Sequence, residues 1–540
     1  MSEHSDRLVD VLDGPAEVRR PRPPLAAPTM TALRERRDEL RDRIMNSGAV
    51  ERQRSLGKLS ARQRLEALLD EGTFLEFDMY RRRPGAPGDP AAQGPHTDGV
   101  IAGFGSIEGR QVCVYAQDFS IAGGSLGEAH AAKIHKVMDL ALSTGSPIIG
   151  LNDSGGARIQ EGVMALNGYG GIFRRQVQAS GVVPQISVVL GPCAGGAAYS
   201  PALADFTFMV RDIAKMYLTG PDVVAAVSGE QVSHEQLGGA RVHGELSGVA
   251  TFVSDDEQSC LEDVRYLVSM LPRNNLEQPP RLAPRGAATD SRPALAGIVP
   301  SASNKPYDMR QVIAEVVDDG AYLEVHEGWA PNVVCALARI DGDVVGLVGN
   351  QPTSSAGVLD TVASQKAARF VRFCDAFNIA LVTLVDVPGF LPGTEQEHGG
   401  AIRHGAKLMY AYCEASVPRV QVIVRKAYGG AYIVMDSRSI GTDISLAWPT
   451  NEIAVMGADG AVNIIHRKQM AAADDPEALR EQLVGRYKDE LMHSYYAAER
   501  GLVDEVIDPA QTRAVVARSL ALLRDKHRPV PQRKHGNIPL

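Results

Sequence analysis

Residues 422–435 read VIVRKAYGGAYIVM: an apolar strand, then Gly429-Gly430, then a helix-forming run. A short β-branched run that leads on to a glycine pair is typical of a strand buried on both faces. Glycine at the junction permits a tight turn and lets backbone N–H groups come close to a ligand. The same plan stands earlier in VVLGPCAGGAAYSPALA, residues 188–204, where Gly195-Gly196 precedes Gly429-Gly430 by 234 residues.

Outward from these turns the repeat continues. PIIGLNDSGG aligns with LVTLVDVPGF, pairing Asp153 with Asp386, and IEGRQVCVYAQD from Ile107 aligns with IDGDVVGLVGNQ from Ile340, both at a separation of 233. LLDEGTFLEF from Leu68 matches VVDDGAYLEV from Val316 at 248, and the extra fifteen residues fall in the Pro/Gly-rich RRRPGAPGDPAAQGPH. A period this long is a duplicated domain, not a solenoid. The short apolar runs SPIIGL, QISVVLG, IALVTLV and VQVIV alternate with helical stretches such as GEAHAAKIHKVMDLALSTG and HGAKLMYAYCEAS. That is an α/β pattern with crossover helices.

The chain therefore divides into a domain at 31–287 and a second at 294–525, within a Pro/Asn/Gly-rich linker region at 271–297. A Pro/Arg-rich arm at 1–30 is expected to be disordered or loosely attached, and 526–540 is a tail. TALRERRDELRDRIM places Leu33, Leu40 and Ile44 along one side of a charged helix.

Of the 540 residues, 44% are apolar and 22% charged, enough for more than one core. A net charge of −9 argues against nucleic acid or an anionic membrane as the main partner, while leaving room for a basic patch that meets a phosphorylated ligand. No apolar run of 18 residues occurs, and MSEHSDRLVDVLDG lacks the apolar core of a signal peptide. The six cysteines never form C-x-x-C, so a disulfide framework and a zinc ribbon are not expected, and a reduced cytoplasmic protein is.

Each glycine pair follows a buried strand and opens a helix. A helix N-terminus offers unpaired N–H donors and partial positive charge, which suits a developing oxyanion. The plainer reading is a compact strand-to-helix turn, which duplication would copy as readily. DSGGARIQEG, residues 153–162, is a second glycine-rich strand exit, with DVPGFLPGTEQEHGG as its counterpart. Either could wall a pocket at the carboxyl ends of the strands, or its aspartates could cap turns and Arg158 form a surface ion pair. His130, His135, His398 and His404 lack supporting ligands, so surface roles are expected and no metal site is assigned. Cys193 has no evident base partner and reads as a small buried residue. No G-x-x-x-x-G-K-[ST] is present.

GKLSARQRLEALLDEGTFLE, GGSLGEAHAAKIHKVMDLAL, DSGGARIQEG, VDVPGFLPGTEQEHGGAIRHGAKLMYAY, RKAYGGAY and RKHGNIPL resemble the carboxyltransferase (β) subunits of biotin-dependent acyl-CoA carboxylases, the propionyl-CoA carboxylase β chains of actinobacteria above all. The resemblance runs from about residue 31 onward. It implies two crotonase-like (ClpP-like) domains and a homohexamer, a trimer of dimers, whose active sites lie where one subunit's first domain faces its partner's second. It implies a separate α subunit with biotin carboxylase and the biotin carrier, which uses ATP and bicarbonate, and a possible small ε subunit. The chain contains no A-M-K-M biotin acceptor, in keeping with that division.

In such a subunit, carboxybiotin from the partner releases CO2, its ureido nitrogen takes the α-proton of an acyl-CoA, and the thioester enolate attacks CO2. Two oxyanions need holding. By the resemblance, Gly195 and Gly196 would serve the acyl thioester and Gly430 and Ala431 the biotin. Gly155, Gly156, Ala157, Gly429, Tyr432 and Ile433 would border the substrate.

The chain departs from the family at one of these. Propionyl-CoA carboxylase β chains typically carry Asp after G-G-A-Y, and here the residue is Ile433. An alkyl chain packs there without desolvating a charge, and each buried CH2 is worth about 0.8 kcal/mol. Chains from butyryl to medium length are therefore expected as substrates. The alternatives are a strict propionyl- or acetyl-CoA carboxylase and the carboxyltransferase of an acyl-CoA decarboxylase. Outside that class stand a crotonase-like hydratase or isomerase and a structural subunit.

Overall fold

The computed structural model describes residues 29–45, 48–83, 94–283 and 290–539. Almost all of the arm at 1–30 lies outside them, as do 84–93 of the Pro/Gly loop and 284–289 of the linker region. A charged helix spans Met30–Met45, and the tail beyond residue 525 carries no regular structure among the described residues.

Each half is built on one eight-stranded sheet, and both sheets share one strand order and one set of pairing senses. The first contains β1 (Leu75–Phe77), β2 (Val100–Ile107), β3 (Arg110–Gln117), β4 (Ile148–Ser154), β5 (Gln185–Ala194), β6 (Phe206–Val210), β7 (Lys215–Tyr217) and β8 (Phe252–Ser254). The second contains β9 (Tyr322–Val325), β10 (Val333–Ile340), β11 (Asp343–Asn350), β12 (Ala380–Val387), β13 (Arg419–Tyr428), β14 (Ile444–Ala447), β15 (Glu452–Ala454) and β16 (Glu505–Val506). The first three strands of each sheet are antiparallel and the rest parallel. β5 pairs with β6 along its first part and with β7 at its carboxyl end, and β13 does the same with β14 and β15.

The local chemistry explains the repeats. Ile107 pairs with Arg110 and Ile340 with Asp343, leaving two-residue loops, Glu108-Gly109 and Asp341-Gly342, with positive φ throughout. Two-residue hairpins of this hand match the twist of the flanking strands. The Asp70 carboxylate accepts from the Glu108 and Gly109 amides at 3.0 and 2.9 Å, and Asp318 accepts from Asp341 and Gly342 at 3.0 and 2.8 Å. The aspartates of LLDEG and VVDDG are thus hairpin caps.

Alternation along the strands feeds two layers. Val100, Ala102, Cys113 and Tyr115 pack with helix Glu128–Thr144, whereas Ile101, Val112 and Val114 pack with helices Ala61–Leu68 and Glu257–Met270. That second layer continues into the other half, where helices Thr361–Ala376 and Ala401–Glu414 join the same core. Phe206 and Phe373 meet edge to face across the join with centroids 4.6 Å apart.

Candidate active site

Both glycine turns sit at the carboxyl ends of β5 and β13, the longest strands, where α/β sheets bind ligands. Gly195 has φ 61° and ψ −124°, and Gly429 has φ 60°, values that side-chain-bearing residues avoid. From them the chain drops into the short helices Gly196–Leu203 and Gly429–Val434.

The first amides of a helix have no partner within it. Among the described residues, the N–H groups of Gly196 and Ala197, and of Gly430 and Ala431, find no acceptor. Gly195 plays another part than expected: its N–H donates to the Tyr217 carbonyl of β7 at 3.0 Å. It shapes the turn, and the two amides after it remain open.

Beneath each turn lies a buried aspartate. Asp153 meets the Lys58 ammonium at 2.6 Å and the Arg64 guanidinium at 2.8 Å, and Asp386 meets Arg425 at 2.9 Å. Both backbone amides are held alike, Asp153 N–H donating to Gln117 and Asp386 N–H to Asn350, each at 3.2 Å.

The Gly155-Gly156-Ala157 loop is stitched to residues 123–126. The Gly155 amide donates to the Gly123 carbonyl and the Leu126 amide to the Gly156 carbonyl, each at 2.9 Å. Gly156, at φ 97°, approaches the first turn so closely that a Cβ there would stand 2.7 Å from the Ala194 carbonyl oxygen. Gly155 and Ala157 line a cleft of about 530 Å³ with Phe119 and Arg158. Arg158 is buried, not on the surface, and bonds to Asp98 at 2.7 Å and Glu161 at 2.8 Å. At the second turn Gly430 is exposed, Tyr432 half-buried and Ile433 exposed.

The histidines divide. His398 is exposed, but His130 and His404 are buried, against the expectation of surface roles. His130 lies 3.0 Å from the Asp98 carbonyl, and burial pushes it down to about 3. No group of three or more His, Cys, Asp or Glu that could hold a metal occurs among the described residues. Cys193 is buried, its thiol donates to the Ala197 carbonyl at 3.1 Å, and burial pushes it up to about 12. It is a packing residue.

The arrangement can hold two negative charges on backbone amides, one at each turn. The sequence model of the carboxyl transferase domain matches residues 52–538. The chain belongs to the carboxyl transferase family. It is similar to the propionyl-CoA carboxylase beta chain of Saccharopolyspora erythraea, 55% identical over 91% of this chain and 92% of that one. To the methylmalonyl-CoA decarboxylase subunit alpha of Propionigenium modestum it is 51% identical, over 91% and 95%. The solved transcarboxylase 12S, described as a hexamer assembly with methylmalonyl-CoA and methylmalonic acid bound, matches with a TM-score of 0.92 and 48% identity over 95% of this chain and 99% of that one. The carboxyltransferase is thus of the subunit type found in biotin-dependent acyl-CoA carboxylases, with two crotonase-like domains.

Proposed function

We propose that this carboxyltransferase moves CO2 from carboxybiotin, presented by a separate biotin-carrying α subunit, to the α-carbon of an acyl-CoA, giving an alkylmalonyl-CoA. The observation that carries the reading is the pair of equivalent turns, each with two open amides at a strand's carboxyl end. Carboxybiotin supplies the CO2 and a basic ureido nitrogen, so the chain's task is to hold charge and exclude water. The Gly196 and Ala197 amides receive the thioester oxygen as it becomes negative, and those of Gly430 and Ala431 face the ureido oxygen. Gly195 and Gly429 hold the turns, and Gly155, Gly156 and Ala157 wall the first. Losing one such donor costs about 3–4 kcal/mol of barrier.

Tyr432 and Ile433 border the acyl chain, and Ile433 in place of a carboxylate admits chains from butyryl to medium length. The protein works as a homohexamer, a trimer of dimers, with the first domain of one subunit facing the second of its partner. Apolar side chains left open around both turns support that docking, among them Ile159, Val163 and Leu166 in the first domain and Ile402, Val455 and Ile464 in the second. Six free thiols suit the cytoplasm.

A second reading rests on the decarboxylase relative: the same amides would serve transfer in the other direction. Reconstitution with a biotinylated α subunit, with and without an ε subunit, separates them. The expected result is ATP-dependent fixation of labelled bicarbonate on butyryl- to octanoyl-CoA, with Ile433→Asp moving the optimum to propionyl-CoA. A propionyl optimum in both proteins would sink the chain-length reading, and no fixation on any acyl-CoA would sink the carboxylase.

A further inference from the structure

The duplication places a second residue where Ile433 stands. The fourth residue after the positive-φ glycine of each turn is Tyr199 in the first domain and Ile433 in the second. Each sits on the short helix that its turn opens. Tyr199 is 51% exposed and Ile433 40%, while Ala197, Ala198, Ala431 and Val434 beside them are buried.

An exposed ring on an alanine-rich helix would ordinarily swing freely. This one is braced. Tyr199 meets Phe173 edge to face, centroids 6.0 Å apart at 76°, and Phe173 stacks on Tyr169 at 6.0 Å and 27°. Tyr169 in turn fills the space that a side chain on Gly196 would need, its Cδ2 standing 2.8 Å from the position of a Cβ there. The aromatic ladder thus runs from the glycine with the open amide to the exposed ring. The Tyr199 hydroxyl has no hydrogen bond among the described residues, so the ring's outward face is uncommitted.

Direction matters as well as position. Helical side chains lean toward the N-terminus and cover the turn before their own Cα. Residues three apart share a helix face, so Tyr199 stands on the side of the helix that Gly196 occupies, one turn beyond the open amides. A carbonyl oxygen seated on those amides would send its acyl chain past that ring.

We propose that Tyr199 is a second specificity-determining residue, which limits acyl-chain length from the first domain's side. The proposal rests on the carboxyltransferase reading and on the thioester lying at the first turn. The test measures kcat/KM of the reconstituted holoenzyme for propionyl- to octanoyl-CoA in wild type, Tyr199→Ala and Tyr199→Phe. It adds the KM for the biotinylated α subunit and, on this chain alone, calorimetric Kd values for propionyl- and octanoyl-CoA.

Tyr199→Ala is expected to raise the octanoyl-to-propionyl ratio of kcat/KM roughly tenfold, mostly through KM, since pocket fit discriminates chain length by factors of that order. The Kd ratio should move in parallel, the KM for the α subunit should hold, and Tyr199→Phe should keep the wild-type order of chain lengths. An unchanged ratio in Tyr199→Ala overturns the proposal, as does a change confined to the KM for the α subunit. Should wild type fix no CO2 on any acyl-CoA, the carboxylase reading fails; the Kd ratio then decides the Tyr199 proposal by itself.

Discussion

Gly196 and Gly430 are equivalent in the duplication, yet alanine should do opposite things at the two. At Gly196 an added Cβ would lie 2.8 Å from Tyr169 Cδ2 and 3.0 Å from its Cγ, the body of a buried ring. That ring cannot swing away as a flexible side chain would, so the methyl overpacks the site at a cost of about 1–3 kcal/mol. At Gly430 nothing lies within 4 Å of the new Cβ, and φ is not positive. Folding should be unharmed there, or gain about 0.5–1 kcal/mol from reduced backbone freedom in the unfolded chain. The methyl would instead project into open space on the residue that carries the first of the two open amides, where it would crowd an oxygen seated on them. A substrate oxygen held about 1 Å off its donors loses roughly 10²-fold in rate. Urea unfolding and CO2 fixation by the reconstituted enzyme measure the two effects separately. Gly196→Ala should lose stability, and Gly430→Ala should lose activity with stability intact. If Gly430→Ala kept full activity, no substrate group would occupy that space and the second turn would be only a turn.

Arg425→Met should remove about 3–5 kcal/mol of stability, because it leaves Asp386, fully buried, with the Lys426 ammonium at 3.9 Å as its one remaining cation among the described residues. The double variant Arg425→Met/Asp386→Leu should recover part of the loss in urea unfolding; a loss below about 1 kcal/mol in the single variant would refute the assignment. His130 and His326 are held down from 6.5 to about 3, by burial first and then by Arg158 and Lys366 respectively. Between those values the unfolded chain binds more protons than the folded one. Stability should therefore fall as pH drops from 6.5 toward 3, by about 1.4 kcal/mol per unit for each histidine. A flat unfolding midpoint between pH 6 and 4 would count against it.

How much of this was legible in the sequence follows from how local each feature is. The hairpin loops IEGR and IDGD, the strand runs and the glycine turns each depend on a few adjacent residues, so pattern and spacing sufficed, and the internal repeat supplied the shared topology. Features made by distant segments were hidden. Gly195 loses its free N–H to Tyr217, a residue on a strand that the sequence shows only as KMY. His130 and Arg158 looked like surface groups because Asp98, which holds both, stands more than thirty residues away. Tyr199 was visible all along at the position of Ile433, and only the register between the halves could have singled it out.

The halves also show what the duplication has kept. Arg425 and Lys426 of the second domain correspond to Gly191 and Pro192 of the first. Glycine has no side chain to offer and proline no N–H. Consequently Asp386 Oδ1 accepts from the Lys426 amide at 3.1 Å, whereas Asp153 Oδ1 is buried without a hydrogen-bond partner among the described residues. A side chain at 191 is barred, since a Cβ would stand 1.9 Å from that oxygen. The first domain instead draws Lys58 and Arg64 from ahead of its sheet, which lays that segment across the strand end. In the second domain Arg425 reaches the other way, taking the Lys305 carbonyl at 2.7 Å and lying over the Tyr307 ring. Each route ties the segment that leads into a domain to the aspartate under its glycine turn. A buried carboxylate left without a cation costs several kcal/mol, so neither pair could have drifted apart singly. The aspartate kept its place while its partners were replaced, which puts the constraint on the turn above it.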